Sequence, residues 1–180
     1  MGIKIAVAGR IRSGKDEFSK LFIKDGYHEF KFGTGIAEII MTYFPEDWMK
    51  GKPRTHYQHI GQQLRQLDPD VWINYVFRDI EDYLYDNPYG DIIITDLRQV
   101  NEAERLRDEG FLIVKVVSRD DIRIQRMKQL GDQFNQEDLN HETEKQVDKI
   151  LADIVVENNG SLKHLQSKAR EVKKAIERGA

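Results

Sequence analysis

Seven residues, Gly9-Arg10-Ile11-Arg12-Ser13-Gly14-Lys15, constrain the fold of this chain more than any other stretch. They follow Ile3, Ile5 and Val7, in a run of small and β-branched residues that reads as a buried strand. They precede Phe18, Leu21 and Phe22 at helical spacing, with Gly26 placed to close that helix. A strand, a Gly-x-x-x-x-Gly-Lys loop and a helix, in that order, make an anion cradle. The glycines let the backbone curl so that successive N–H groups face one anion, and the helix N-terminus adds its partial positive charge. Gly9, Arg12, Ser13 and Gly14 are therefore candidate contacts to a nucleoside triphosphate, and Lys15 can reach its terminal phosphates. The residue after the lysine is usually a Ser or Thr that binds Mg²⁺; here Asp16 and then Glu17 follow. Two readings stay open: a carboxylate binds Mg²⁺ directly or through water, or it only complements the helix dipole.

Elsewhere, apolar runs predict strands at 27–32, 92–94, 111–117 and 154–156. Helices are predicted at 36–44, with Pro45 as a stop, and at 56–67. The segment 48–54 reads as a basic loop between them. Asp68 as N-cap and Pro69 in the first turn start a further helix that runs to about 85. Segments 102–109, 122–130 and 162–176 complete the helices, and 131–140 reads as a polar loop. The β–α alternation with continuous apolar strands argues for an α/β fold, a parallel sheet covered on both faces. One domain over 1–180 is expected, with a helical insert at about 36–85.

Composition removes several classes of function. The net charge of −3 leaves no overall basic surface for a nucleic acid polymer. The absence of cysteine excludes a disulfide scaffold, a thiolate zinc site and a cysteine nucleophile. No apolar run approaches the ~18 residues that span a bilayer. Gly2 is not followed by Ser or Thr at position 6, which is Ala6, so the myristoylation pattern fails. A cytoplasmic protein without membrane partners is the expectation. The apolar stripe of 162–176 serves either to dock on the sheet or to pair a homodimer.

Three further groups carry candidate chemistry. Asp96 ends the strand begun by Ile92, and Arg98 follows two residues later. Ligands of open α/β sheets bind beyond the carboxyl ends of strands. Asp96 there can hold a Mg²⁺ water or take a proton, and Arg98 can fork onto an acceptor phosphate. The plainer reading makes Asp96 a helix cap. Lys50, Lys52 and Arg54 form a basic cluster, with Gln58 and Arg65 on the next helix. Arg54, Gln58 and Gly61 share a face suited to a base and its phosphate, or simply a solvated face. Arg119, Arg123 and Arg126 recur at i, i+4, i+7, as in a lid that brings charge to a transferring phosphoryl group. The lid is expected at about 119–145, and surface ion pairs are the alternative. His141 to Glu144 lacks the second histidine of a zinc motif, and Thr143 with Gln146 reads as a capping box.

Several blocks together resemble the phage-type deoxynucleoside monophosphate kinases, relatives of the adenylate kinase and dephospho-CoA kinase group. The Gly9 loop with Asp16 is similar to that family's Gly-x-x-x-Ser-Gly-Lys-Asp. Arg54-x-x-x-Gln58-x-x-Gly61 with Asp68-Pro69-Asp70-Val71-Trp72 resembles its acceptor-side helices, although Gln62 replaces a usual Thr. Asp96-x-Arg98-x-x-Asn101-Glu102, His141-x-x-Glu144 and Asn158-x-Gly160-Ser161 are similar to three further blocks. The resemblance implies a P-loop NTPase fold with a five-stranded parallel sheet, an acceptor-binding helical insert and a lid. It implies Mg²⁺ with ATP as donor and a deoxynucleoside monophosphate as acceptor. It places Asn158 near the donor base and His141 on the acceptor side. The metal falls to Asp16 or Asp96, and Lys15, Asp96, Arg98 and Arg119 act in catalysis. Dephospho-CoA kinase and a nucleotide-binding regulatory module without an acceptor are the rival readings.

Overall fold

The central strand β1 (Lys4–Ala8) is buried throughout its second half, as a strand covered on both faces must be. The structure is a computed structural model that describes residues 2–51, 53–130 and 142–179. The other strands are β2 (His28–Phe30), β3 (Ile92–Leu97), β4 (Leu112–Val117) and β5 (Ile154–Glu157). They form one five-stranded parallel sheet in the order β2-β3-β1-β4-β5. The chain fills one side of β1 first and the other side later. The carboxyl end of β1 therefore lies between the ends of β3 and β4, at the switch point where α/β sheets bind ligands.

The chain divides into two compact units, residues 1–29 with 89–180, and residues 30–88. The first contains the sheet and the helices α1 (Lys15–Lys24), α6 (Val100–Asp108), α7 (Asp120–Gln129), α8 (Glu142–Lys149) and α9 (Leu162–Gly179). Phe18 and Phe22 of α1 pack with Leu165 and Ala169 of α9 around Ile5, Val7, Ile93 and Val114. Val172 and Ile176 lie against the same cluster, so the apolar stripe of α9 docks on its own sheet unit. Gly26 at φ 99° and Gly110 at φ 80° end α1 and α6 in the left-handed region that glycine enters without strain.

The second unit holds α2 (Thr34–Tyr43), α3 (Pro45–Met49), α4 (Arg54–Leu67) and α5 (Val71–Asp86). Ile36 and Ile40 of α2 and Trp72, Ile73, Val76, Phe77 and Ile80 of α5 are among its buried residues. The Trp72 indole N–H donates to the Gly61 carbonyl at 3.1 Å, which pins α5 to α4.

Several local expectations are corrected. Pro45 does not merely stop a helix but opens α3 at its first position, where its missing N–H costs nothing; Trp48 and Met49 are helical. Asp68 caps the end of α4, not the start of α5: its carboxylate accepts the Asp70 N–H at 2.9 Å in a local turn, and α5 begins at Val71. Gln99, not Asp96, caps α6, through a capping box with Glu102. Thr143 lies inside α8, and Gln146 accepts the Val100 N–H at 3.3 Å instead of closing a capping box. Among the described residues no helix is long and apolar enough to cross a membrane.

Candidate active site

The loop between β1 and α1 is tightly wound. Arg12 at φ 58° and Gly14 at φ 102° are both left-handed, and for Arg12 that conformation stores strain. A β-carbon on Gly9 would meet the Ser13 hydroxyl and, at 2.8 Å, the Val116 carbonyl. One on Gly14 would strike the Asn158 amide. Lys15 and Asp16 then open α1, with the Lys15 ammonium paired to the Asp16 carboxylate. Glu17 is turned along the helix to Lys20, 2.5 Å away. Ser13 is 1% exposed, and its hydroxyl has no hydrogen-bond partner. An orphaned hydroxyl inside an anion cradle fits a phosphate-bearing ligand.

The outward-facing carbonyls of this loop are held from behind. Asn158 is buried; its amide donates to the Ser13 carbonyl at 2.8 Å, and its own N–H donates to Val117 at 2.7 Å. Arg123, 2% exposed, donates to the Ile11 carbonyl at 3.0 Å and to the Asp120 carboxylate at 2.8 Å. Arg126 donates to the Arg12 carbonyl at 3.3 Å and the Asn158 carbonyl at 3.0 Å, with further contacts to Ser118 and Gly160. These oxygens are neutral, and burial pulls the Arg126 pKa below its usual value. The hydrogen bond from Arg123 holds the Asp120 carboxyl below its usual range, with burial opposing.

The face expected for three arginines thus holds for two. Arg119 precedes α7 in an extended conformation, so helical spacing does not apply to it; its side chain is exposed and pairs with Asp121 at 2.6 Å. Arg123 and Arg126 both donate to main-chain carbonyls of the loop.

Beside the loop, β3 is irregular. Ala6 pairs with Ile94 but Ala8 pairs with Leu97, so an extra residue bulges at Thr95–Asp96. The irregularity puts Leu97 opposite Ala8, so Asp96 is the last residue of β3 before the end of β1 is reached. Arg98 follows, with its N–H on the Glu102 carboxylate at 3.0 Å and its guanidinium on Glu144 at 2.5 Å. Asp16 and Asp96 are the candidate metal ligands; Mg²⁺ typically takes one or two carboxylates together with substrate phosphates. Among the described residues no three His, Asp or Glu side chains form a protein-only cluster.

In the helical unit Arg54, Gln58, Gly61 and Arg65 lie along the less exposed face of α4, while Thr55, His59 and Gln62 face solvent. His141 and Lys52 lie outside the described residues. Sequence reasoning assigned no role to Glu144 or to Arg10, which pairs with Asp148. Their partners are 133 and 138 residues away, and only the His-x-x-Glu block pointed to Glu144.

This loop at the switch point of a five-stranded parallel sheet defines a P-loop kinase. Solved structures share the fold: TT1252 from Thermus thermophilus (20% identity, 97% of each chain, TM-score 0.62) and the dephospho-CoA kinase from Campylobacter jejuni (12%, 99% of each, 0.59). Shikimate kinase from Aquifex aeolicus is similar as well (15%, 99% of this chain and 100% of that one, TM-score 0.55). No curated protein matches the sequence. The model of the deoxynucleotide monophosphate kinase family matches residues 54–169, and the chain belongs to that family. It is a phosphotransferase of the nucleotide kinase kind.

Proposed function

We propose that the protein transfers the terminal phosphoryl group of ATP to a deoxynucleoside monophosphate, yielding ADP and the deoxynucleoside diphosphate. The observation that carries this reading is the shared carboxylate of Glu144: it holds both the phosphate loop and Arg98, so donor and acceptor groups meet in one unit. The family match supports it from residues that do not include the loop.

In this reading Lys15 and the loop N–H groups hold the donor phosphates, and the orphaned Ser13 hydroxyl gains a partner. Arg98 takes the acceptor phosphate; Arg54, Gln58 and Arg65 are the acceptor-binding candidates of the helical unit. An acceptor phosphate oxygen attacks the terminal phosphorus in line while the bond to the ADP oxygen breaks. The nucleophile is already anionic, so positioning and charge do most of the work. Asp16 and Asp96 would hold Mg²⁺, which when bound neutralises charge on the phosphates. Arg119 is the one exposed arginine of its trio and so the one able to move onto the transferring group.

The test is ADP formation with Mg·ATP and each of dAMP, dGMP, dCMP, dTMP and dephospho-CoA. Turnover that depends on a deoxynucleotide is the expected result. Turnover with dephospho-CoA alone would give Asp96 the role of general base toward a hydroxyl. Silence across the panel would favour a nucleotide-binding module.

A further inference from the structure

We infer that Glu144 is a positioning residue that sets the distance between the donor loop and Arg98, an inference that rests on the proposed roles of those two groups. Glu144 projects from α8 and is 4% exposed. One carboxylate oxygen accepts the Ile11 N–H at 2.8 Å and lies 3.7 Å from Arg123. The other accepts from Nη1 of Arg98 at 2.5 Å. Arg123 meanwhile donates to the Ile11 carbonyl at 3.0 Å. Both peptide groups of Ile11, in the middle of the phosphate loop, are therefore tied to one buried ion cluster.

The anchorage of Glu144 is itself firm. Val147 and Ile150, just beyond it, are buried, and Gln146 accepts the Val100 N–H where α6 begins. The Arg98 main chain is fixed separately by Glu102 at 3.0 Å. Arg98 uses only Nη1 on Glu144 among the described residues, and its side chain is about one-third exposed, at 32%. The remaining N–H groups of its planar fork can donate to a phosphate without breaking the Glu144 contact. A buried ion pair adds little net stability over apolar packing, so what this one contributes is the geometry it imposes on the loop and Arg98. A small displacement of reacting groups costs up to about a hundredfold in rate.

Two variants separate the two arms. In Glu144→Gln one oxygen still accepts the Ile11 N–H, but the charge facing Arg98 is gone. The expected result is a rise in acceptor KM and a fall in kcat, each about tenfold, with donor KM within about twofold. Glu144→Ala releases the loop as well, so donor KM also rises about tenfold. In the Arg98→Ala background Glu144→Gln should add little further loss of turnover, because both changes act through one contact. Melting of Glu144→Gln is followed in parallel to confirm the fold. Wild-type kinetics in Glu144→Gln, or a full independent loss in the double variant, overturns the inference. If the wild-type enzyme turns over no deoxynucleotide, the functional reading fails; binding of a fluorescent ATP analogue then tests the loop arm alone. Weakening in Glu144→Ala but not in Glu144→Gln supports that arm, and equal binding by all three proteins overturns it.

Discussion

The phosphate loop and the polar face of α4 use the same residue types, arginines and amides, and are ordered by different means. In the loop network each side chain is set by partners distant in sequence: Asn158 reaches Ser13 across 145 residues, Arg123 reaches Ile11 across 112, and Glu144 reaches Ile11 across 133. On α4 the spacing of Arg54, Gln58 and Arg65 follows from one helix's own periodicity. The difference teaches where each kind of specificity resides. The donor side is preorganised by a network, so a change at one member disturbs several. The α4 groups share one helix face, so a change there should alter the acceptor side and leave the donor side untouched.

The sharpest break in that comparison is Lys15→Ala. It removes the loop ammonium proposed to hold the donor phosphates and should lower turnover about a thousandfold, roughly 4 kcal/mol, with an unchanged circular dichroism spectrum. Near-wild-type turnover would remove the loop from the chemistry. Next is Arg123→Ala. It strands the buried Glu144 carboxylate with one guanidinium fewer and frees the Ile11 carbonyl, and should cost about 3 kcal/mol in urea unfolding. A loss under 1 kcal/mol would mean that the brace is dispensable. Arg54→Ala should raise acceptor KM about tenfold and leave donor KM alone. An equal rise in both would erase the contrast between the two regions.

The smallest effect is that of pH at the foot of the loop. The Asp120 carboxyl is held below its unfolded value of 3.8, chiefly by the hydrogen bond from Arg123. Its contribution is therefore fully present above that value and is lost as pH falls through the native pKa. Because its side chain is mostly exposed, the contribution should stay under about 1 kcal/mol. Melting of wild type and Asp120→Asn from neutral pH down into the acid range should show a small wild-type advantage that disappears in acid. A constant difference across the range would deny that the ionised carboxylate matters.

Much of the fold was legible in the sequence because hydrophobic periodicity is a local signal. The runs around Ile5, Ile93 and Val114 announced central parallel strands, and Phe18 and Phe22 the inward face of α1. Turn chemistry was less legible. Asp68 and Pro69 carry the signature of a helix start, yet the Asp68 carboxylate was taken by the Asp70 N–H two residues on. Arg119, Arg123 and Arg126 looked equivalent until the helix proved to begin after the first of them.

What the chain determined by itself, then, was the anion cradle: glycines at 9 and 14 and a lysine at 15 between a strand and a helix, a combination with few other uses. It determined the parallel sheet for the same reason, since strands buried on both faces must be apolar throughout. Only the tertiary structure decided which buried acid holds which arginine, that Asn158 and Arg126 brace the loop, and that β3 is irregular at Thr95–Asp96. The physical reason is range. Periodicity and capping act over a few residues, whereas the choice of partner for a buried charge depends on which groups the finished fold excludes from water together.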